Sequence, residues 1–99
     1  MFLVLLTYIK PIEEVEKWLD DHVTFLDTYY TEKKFVFSGR RNPRVGGVIL
    51  ISAETEEEVQ EIIKEDPFFI HQIAEYNIIE FFPTKYDERF SCFVDAKVK

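Results

Sequence analysis

Two stretches of this chain, Phe2-Leu3-Val4-Leu5-Leu6 and Val48-Ile49-Leu50-Ile51, are apolar at every position. Side chains of a β-strand point alternately to opposite faces of its sheet, so a strand apolar at both parities needs cover on both faces. The two runs therefore predict the central strands of a sheet covered on each side. The chain has 99 residues, the size of one domain, yet 46% of it is apolar and 16% aromatic. A chain of this length buries only about 60–65% of its unfolded surface, which leaves large side chains over for an interface. The same apolar content excludes a disordered chain.

Residues 2–9 read as the first strand, closed by Pro11, which opens a helix with Glu13 and Glu14 at its positive end. Val15, Trp18, Leu19, His22, Leu26, Tyr29 and Tyr30 recur at three- and four-residue spacing. This predicts one helix from Pro11 to about Tyr30. Residues 35–39 form a second strand, 40–46 a turn by its Asn-Pro and Gly content, and 47–52 a third strand. Thr55-Glu56-Glu57-Glu58 has the form of a capping box, with Thr55 as N-cap and Glu58 reciprocating. It opens a second helix with Val59, Ile62 and Ile63 inward, ended by Asp66-Pro67. Residues 68–71 are a short irregular segment and 75–82 a last strand. Residues 84–99 form a tail with Tyr86, Phe90 and Phe93 and no period.

The order βαββαβ is the ferredoxin-like, split βαβ pattern of the α+β class, a four-stranded antiparallel sheet with two helices on one face. It forms a single domain over residues 1–99, with a core at 2–83 and the aromatic tail beyond. The first and third strands are central in that topology, as their apolar faces require. Nothing in the core remains for the opposite sheet face. The expected cover is a second copy of the chain in a symmetric homodimer, and the alternative is the aromatic tail folded back.

Twelve basic residues against nineteen acidic ones give a net charge of −7. That balance argues against a nucleic-acid partner, which needs a basic patch, and against an anionic membrane surface. No apolar run approaches the ~20 residues of a membrane span. The N-terminal run lacks the basic start and small-residue cleavage site of a signal peptide. The lone Cys92 allows no internal disulfide. The expected location is the cytoplasm, with Cys92 a reduced thiol.

Two polar residues interrupt the inward faces of the predicted helices. At about 100° per residue, His22 falls about 20° from Val15, within the apolar stripe. Asp66 continues the stripe of Val59, Ile62 and Ile63, where a carboxylate opposes the helix dipole and needs a partner. With both helices on one sheet face, the two residues can meet. A carboxylate that accepts from Nδ1–H fixes the tautomer and makes the other ring nitrogen a proton acceptor. The alternative is a core histidine with its hydrogen bonds satisfied, beside an aspartate that caps the following segment. A second candidate is Arg40, Arg41 and Arg44 beside Ser38 and Gly39, three cations in an acidic chain. They suit a small anion, or else they are a solvated turn paired with the surplus acids. A metal site from His22, His71 and Asp66 has no supporting spacing, and no phosphate loop or dinucleotide fingerprint occurs. No metal or cofactor is predicted.

With Asp21-His22-Val23 in the first helix, Ser38-Gly39, Gly46-Gly47-Val48, Glu65-Asp66-Pro67-Phe68 and Ala74-Glu75-Tyr76 at these spacings, the sequence resembles the YCII-related (YciI-like) family over about residues 2–86. The resemblance implies a ferredoxin-like dimeric α+β barrel, related to the muconolactone-isomerase type. It matches His22 and Asp66 to the family's catalytic pair and nominates Ser38 for its pocket. Some relatives resemble lyases acting on chlorinated hydroxyquinols, and others have no assigned activity. The expected function is therefore a cofactor-free enzyme of lyase, isomerase or hydrolase type on a small cyclic or carboxylated molecule. His22 is its general acid/base and Asp66 orients it. Ser38, Gly39, Arg40 and Arg44 position the substrate, while Trp18, Tyr29 and Phe68 wall the pocket. The competing reading is a non-catalytic ligand-binding or dimerisation module of the same fold. Geometry separates them, because an enzyme needs His22 bonded to Asp66 with its other nitrogen facing an open cavity.

Overall fold

A computed structural model describes residues 1–94. Its elements are β1 (Phe2–Tyr8), α1 (Ile12–Lys17), α2 (Leu19–Thr31), β2 (Phe35–Arg40), β3 (Gly46–Ile51), α3 (Glu56–Ile63), α4 (Pro67–Ile70) and β4 (Ala74–Glu80). A 3-10 turn at Glu88–Phe93 follows. The strands form one antiparallel sheet in the order β2-β3-β1-β4, with the two apolar strands in the centre. This is the predicted ferredoxin-like topology.

Strand alternation sorts the side chains by face. Phe2, Val4 and Leu6 of β1 are buried, as are Ile49 and Ile51 opposite them on β3. They meet Val15, Phe25, Val59, Ile62, Ile63 and Phe68 from the helices in one core. Leu3, Leu5, Val48 and Leu50 point the other way, together with Phe37 on β2 and Ile79 on β4. Phe37 and Ile79 remain 48% and 41% exposed. The turn at Glu88–Phe93, where Phe90 and Phe93 pack on each other at 5.2 Å, leaves them so. The tail expected over residues 84–99 thus holds one short turn, and its last five residues lie outside the described ones.

The single helix predicted from Pro11 to about Tyr30 is two. Trp18, with φ −109° and ψ 5°, separates them, and its amide donates to the Val15 carbonyl three residues back. A turn closed at three residues advances faster than 3.6 per turn, so angles counted from Val15 do not carry across it. Phe25 is consequently buried, whereas Tyr30, predicted inward, is 36% exposed. The indole of Trp18 lies flat on His71, centroids 3.6 Å apart and planes 11° apart, and so joins the break to the end of α4.

Helix α3 opens as its capping box predicts, with Thr55 Oγ1 accepting from the Glu58 amide at 3.2 Å. The return bond differs: Glu58 Oε1 accepts from the amide of Glu54, not Thr55. Its other oxygen pairs with Lys34 Nζ at 2.7 Å, which holds the Glu58 carboxyl below the usual range and ties α3 to the residue that precedes β2. The segment after α3, predicted irregular, is the one-turn helix α4 with Pro67 in its first turn.

Candidate active site

Asp66 does not end α3, as its periodicity suggests; α3 stops at Ile63 and Asp66 is the N-cap of α4, fully buried. Its oxygens are filled by three donors from three elements. Oδ1 accepts from the Phe68 amide at 2.9 Å and from His22 Nδ1 at 2.8 Å. Oδ2 accepts from the Tyr76 hydroxyl at 2.5 Å. Burial, then the adjacent carboxylate, pushes the Tyr76 phenol far above its ordinary range, so it acts as a donor. A carboxylate oxygen only accepts, which assigns the proton in the His22 contact to Nδ1. The two roles weighed for Asp66, partner of His22 and cap of the following segment, are both real.

His22 Nδ1 is thus taken, and its ring stacks on Phe68 at 4.1 Å with planes 5° apart. Nε2 makes no hydrogen bond among the described residues, yet no buried side-chain polar atom there lacks a partner. It is therefore open to solvent, on a side chain 12% exposed that lines a cavity of about 190 Å³. The cavity lies where β1 and β2 end and β3 begins. Leu6, Tyr8, Val23, Leu26 and Ile49 supply apolar wall, and Ser38, Gly39, Arg40 and Phe68 line it as well. Ser38 Oγ is 2.7 Å from the hydroxyl of Tyr30, whose outward position gives it this contact.

Other expected site residues are elsewhere. Trp18 faces His71 instead of the cavity, because the helix break turns it toward α4. Arg44 reaches back to Glu16 Oε1 at 3.3 Å, an ion pair with α1. Arg41 bonds Thr7 Oγ1 at 3.0 Å on β1. Of the three arginines only Arg40 lines the cavity, so the cluster divides between its two readings. Tyr29 packs on Phe25 and Phe35 and donates to Glu65 Oε2 at 2.7 Å, away from the cavity. Among the described residues no group of three or more His, Cys, Asp or Glu converges as metal ligands. The opposite end of the sheet, around Met1 and Ser52, carries a larger groove of about 480 Å³ that contains neither member of the pair.

Tyr76 is the residue that reading for polar interruptions missed. Its signal is the alternation Ala74, Tyr76, Ile78, which turns a hydroxyl inward on a strand, where it needs a partner.

Fold and site together define a ferredoxin-like α+β domain with a buried aspartate holding a histidine against a cavity at the strand ends. The chain belongs to the YCII-related family, whose domain matches residues 1–82. Among solved structures it is similar to 5-chloro-2-hydroxyhydroquinone dehydrochlorinase from Burkholderia phenoliruptrix AC1100, in complex with 2,5-dihydroxybenzoquinone. The TM-score is 0.69 at 15% identity, over 90% of this chain and 98% of that one. That likeness is one of fold. No match is found among the curated proteins.

Proposed function

We propose that the protein is an acid–base enzyme acting on a small cyclic or carboxylated molecule. His22 takes or returns a proton through Nε2, and Asp66 fixes its ring and tautomer. The observation that carries this reading is the asymmetry of His22: one nitrogen is bound to a buried carboxylate at 2.8 Å and the other makes no hydrogen bond among the described residues, on a side chain that lines a cavity. A histidine that merely satisfied a core would have both nitrogens paired. The cavity volume, about 190 Å³, compares with roughly 150 Å³ for an apolar cavity that takes up benzene, so one ring is the size it admits. Phe68 and the aliphatic wall suit the face of such a ring. Arg40 supplies a cation for a carboxylate or phenolate, and Ser38 and the Gly39 backbone supply polar contacts. The structural neighbour, a dehydrochlorinase of a substituted hydroquinone held with a dihydroxybenzoquinone, points to the same size and class.

Proton removal by Nε2 next to a leaving group gives elimination. Return of the proton at another carbon gives isomerisation, and removal from water gives hydrolysis. These residues require no cofactor for any of the three. We place the second copy of the chain on the open sheet face, where Phe37 and Ile79 are exposed beside Leu3, Leu5 and Val48.

The test is turnover of a panel of hydroxylated and carboxylated single-ring compounds by wild type and His22→Ala. Loss of about a hundredfold or more in kcat/KM, with the fold unchanged by circular dichroism, is the expected result. Equal turnover in both would leave a ligand-binding or dimerisation module.

A further inference from the structure

A carboxylate bonded to Nδ1 favours the imidazolium. Taken too far, that leaves the ring permanently protonated, with no lone pair on Nε2 to act as a base. Asp66 carries no such undivided charge. Its Oδ2, the oxygen turned away from His22, receives the Tyr76 hydroxyl at 2.5 Å, in the range of a charge-assisted O–H···O⁻ bond. Tyr76 comes from β4, where it pairs with Leu6 of β1, and Phe69 packs on its ring edge at 5.8 Å. Its hydroxyl is therefore held by the sheet, independently of the helix that carries His22.

We propose that Tyr76 is the positioning residue of the His22–Asp66 pair. It fixes the carboxylate plane so that Oδ1 meets Nδ1, and it draws charge onto Oδ2, away from the bond to His22. This rests on the acid–base reading of His22. The other ionisable residues that line the cavity with His22 are Arg40 from β2 and Tyr8 from β1. Tyr76 reaches it only through Asp66. A purely structural tyrosine would contribute to stability and leave the protonation of His22 alone.

The chain has two histidines, so nitrogen-detected NMR of the imidazoles resolves His22 directly, with His71 as an internal control stacked on Trp18. In Tyr76→Phe the carboxylate charge concentrates on the Nδ1 bond. The imidazolium-to-imidazole ratio of His22 at neutral pH is expected to rise about threefold or more, with the Nδ1 proton moving downfield and His71 unchanged. Placing at position 76 a tyrosine with fluorine beside its hydroxyl makes a stronger donor in the same shape. The ratio is then expected to fall, which keeps the test decisive if the phenylalanine variant folds poorly. A ratio that stays put in the variant that folds, or moves the opposite way, overturns the role of Tyr76 whatever the turnover. If the ratio moves as expected but His22→Ala turns over every compound as wild type does, the enzymatic reading fails and the coupling of Tyr76 to the pair stands.

Discussion

At the scale of single residues, the site depends on contacts that leave almost no tolerance. Gly46 begins β3 against the end of β1, and a Cβ there would sit 1.7 Å from the Leu6 carbonyl oxygen. Backbone cannot yield that far, so Gly46→Ala is expected to cost about 3 kcal/mol or more, or to prevent folding. Gly39, two residues after exposed Phe37 on the neighbouring strand, has nothing within 4 Å of the same atom. Gly39→Ala is expected to stay within about 0.5 kcal/mol of wild type. Urea denaturation of the two variants checks this pair, and equal losses would contradict the close approach. His22 and Asp66 were legible because a polar residue inside an apolar stripe is conspicuous. Glycines 46 and 47 were legible only as a doublet; which of them is sterically required depends on a carbonyl some forty residues away in sequence.

At the scale of elements, the helices are joined to one another by polar ties at their ends. Trp18 meets His71 between the α1–α2 break and the close of α4. Immediately before the Asp66 cap of α4, Glu65 accepts from the Tyr29 hydroxyl of α2. Burial and this bond to Glu65 raise the Tyr29 phenol from its ordinary 10 to about 12. The folded state thus keeps a proton that the unfolded chain loses near pH 10, and stability falls as pH rises from about 10 through about 12. Tyr29→Phe is expected to flatten that part of the stability curve, measured by thermal melts across alkaline pH. An unchanged slope would show that the tie contributes nothing. The Trp18 break escaped a periodic reading because α1 and α2 each keep helical spacing and only their phase differs. A single tight turn changes phase without leaving a Gly or Pro to mark it.

At the scale of the whole molecule, the sheet has one face under helices and one that none of the described helices covers. Leu3, Leu5, Val48 and the buried Leu50 lie on that second face, with Phe37 and Ile79 exposed among them. A contiguous apolar face of this kind suits the homodimer proposed above. Wild type is expected to sediment as a dimer at micromolar concentration, and Phe37→Lys combined with Ile79→Lys as a folded monomer. A monomeric wild type would refute the arrangement. The two variant positions lie on β2 and β4, outside the cavity lining, so a monomer that still binds ligand would locate the whole site within one chain.

Burial in a strand or helix repeats with that element's own period, so the sequence by itself determined the order of the four strands and which two of them are central. The same periodicity measures only which side of an element is covered. It carries no information about what covers it. The bond between His22 and Asp66 joins residues 44 apart, and Tyr76 reaches Asp66 from a strand ten residues on. Helix packing and strand register set both contacts, as they set which of three neighbouring arginines lines the cavity. Only the tertiary structure could decide that Asp66 caps a helix instead of ending one, because its three donors come together only when α2, α4 and β4 are packed.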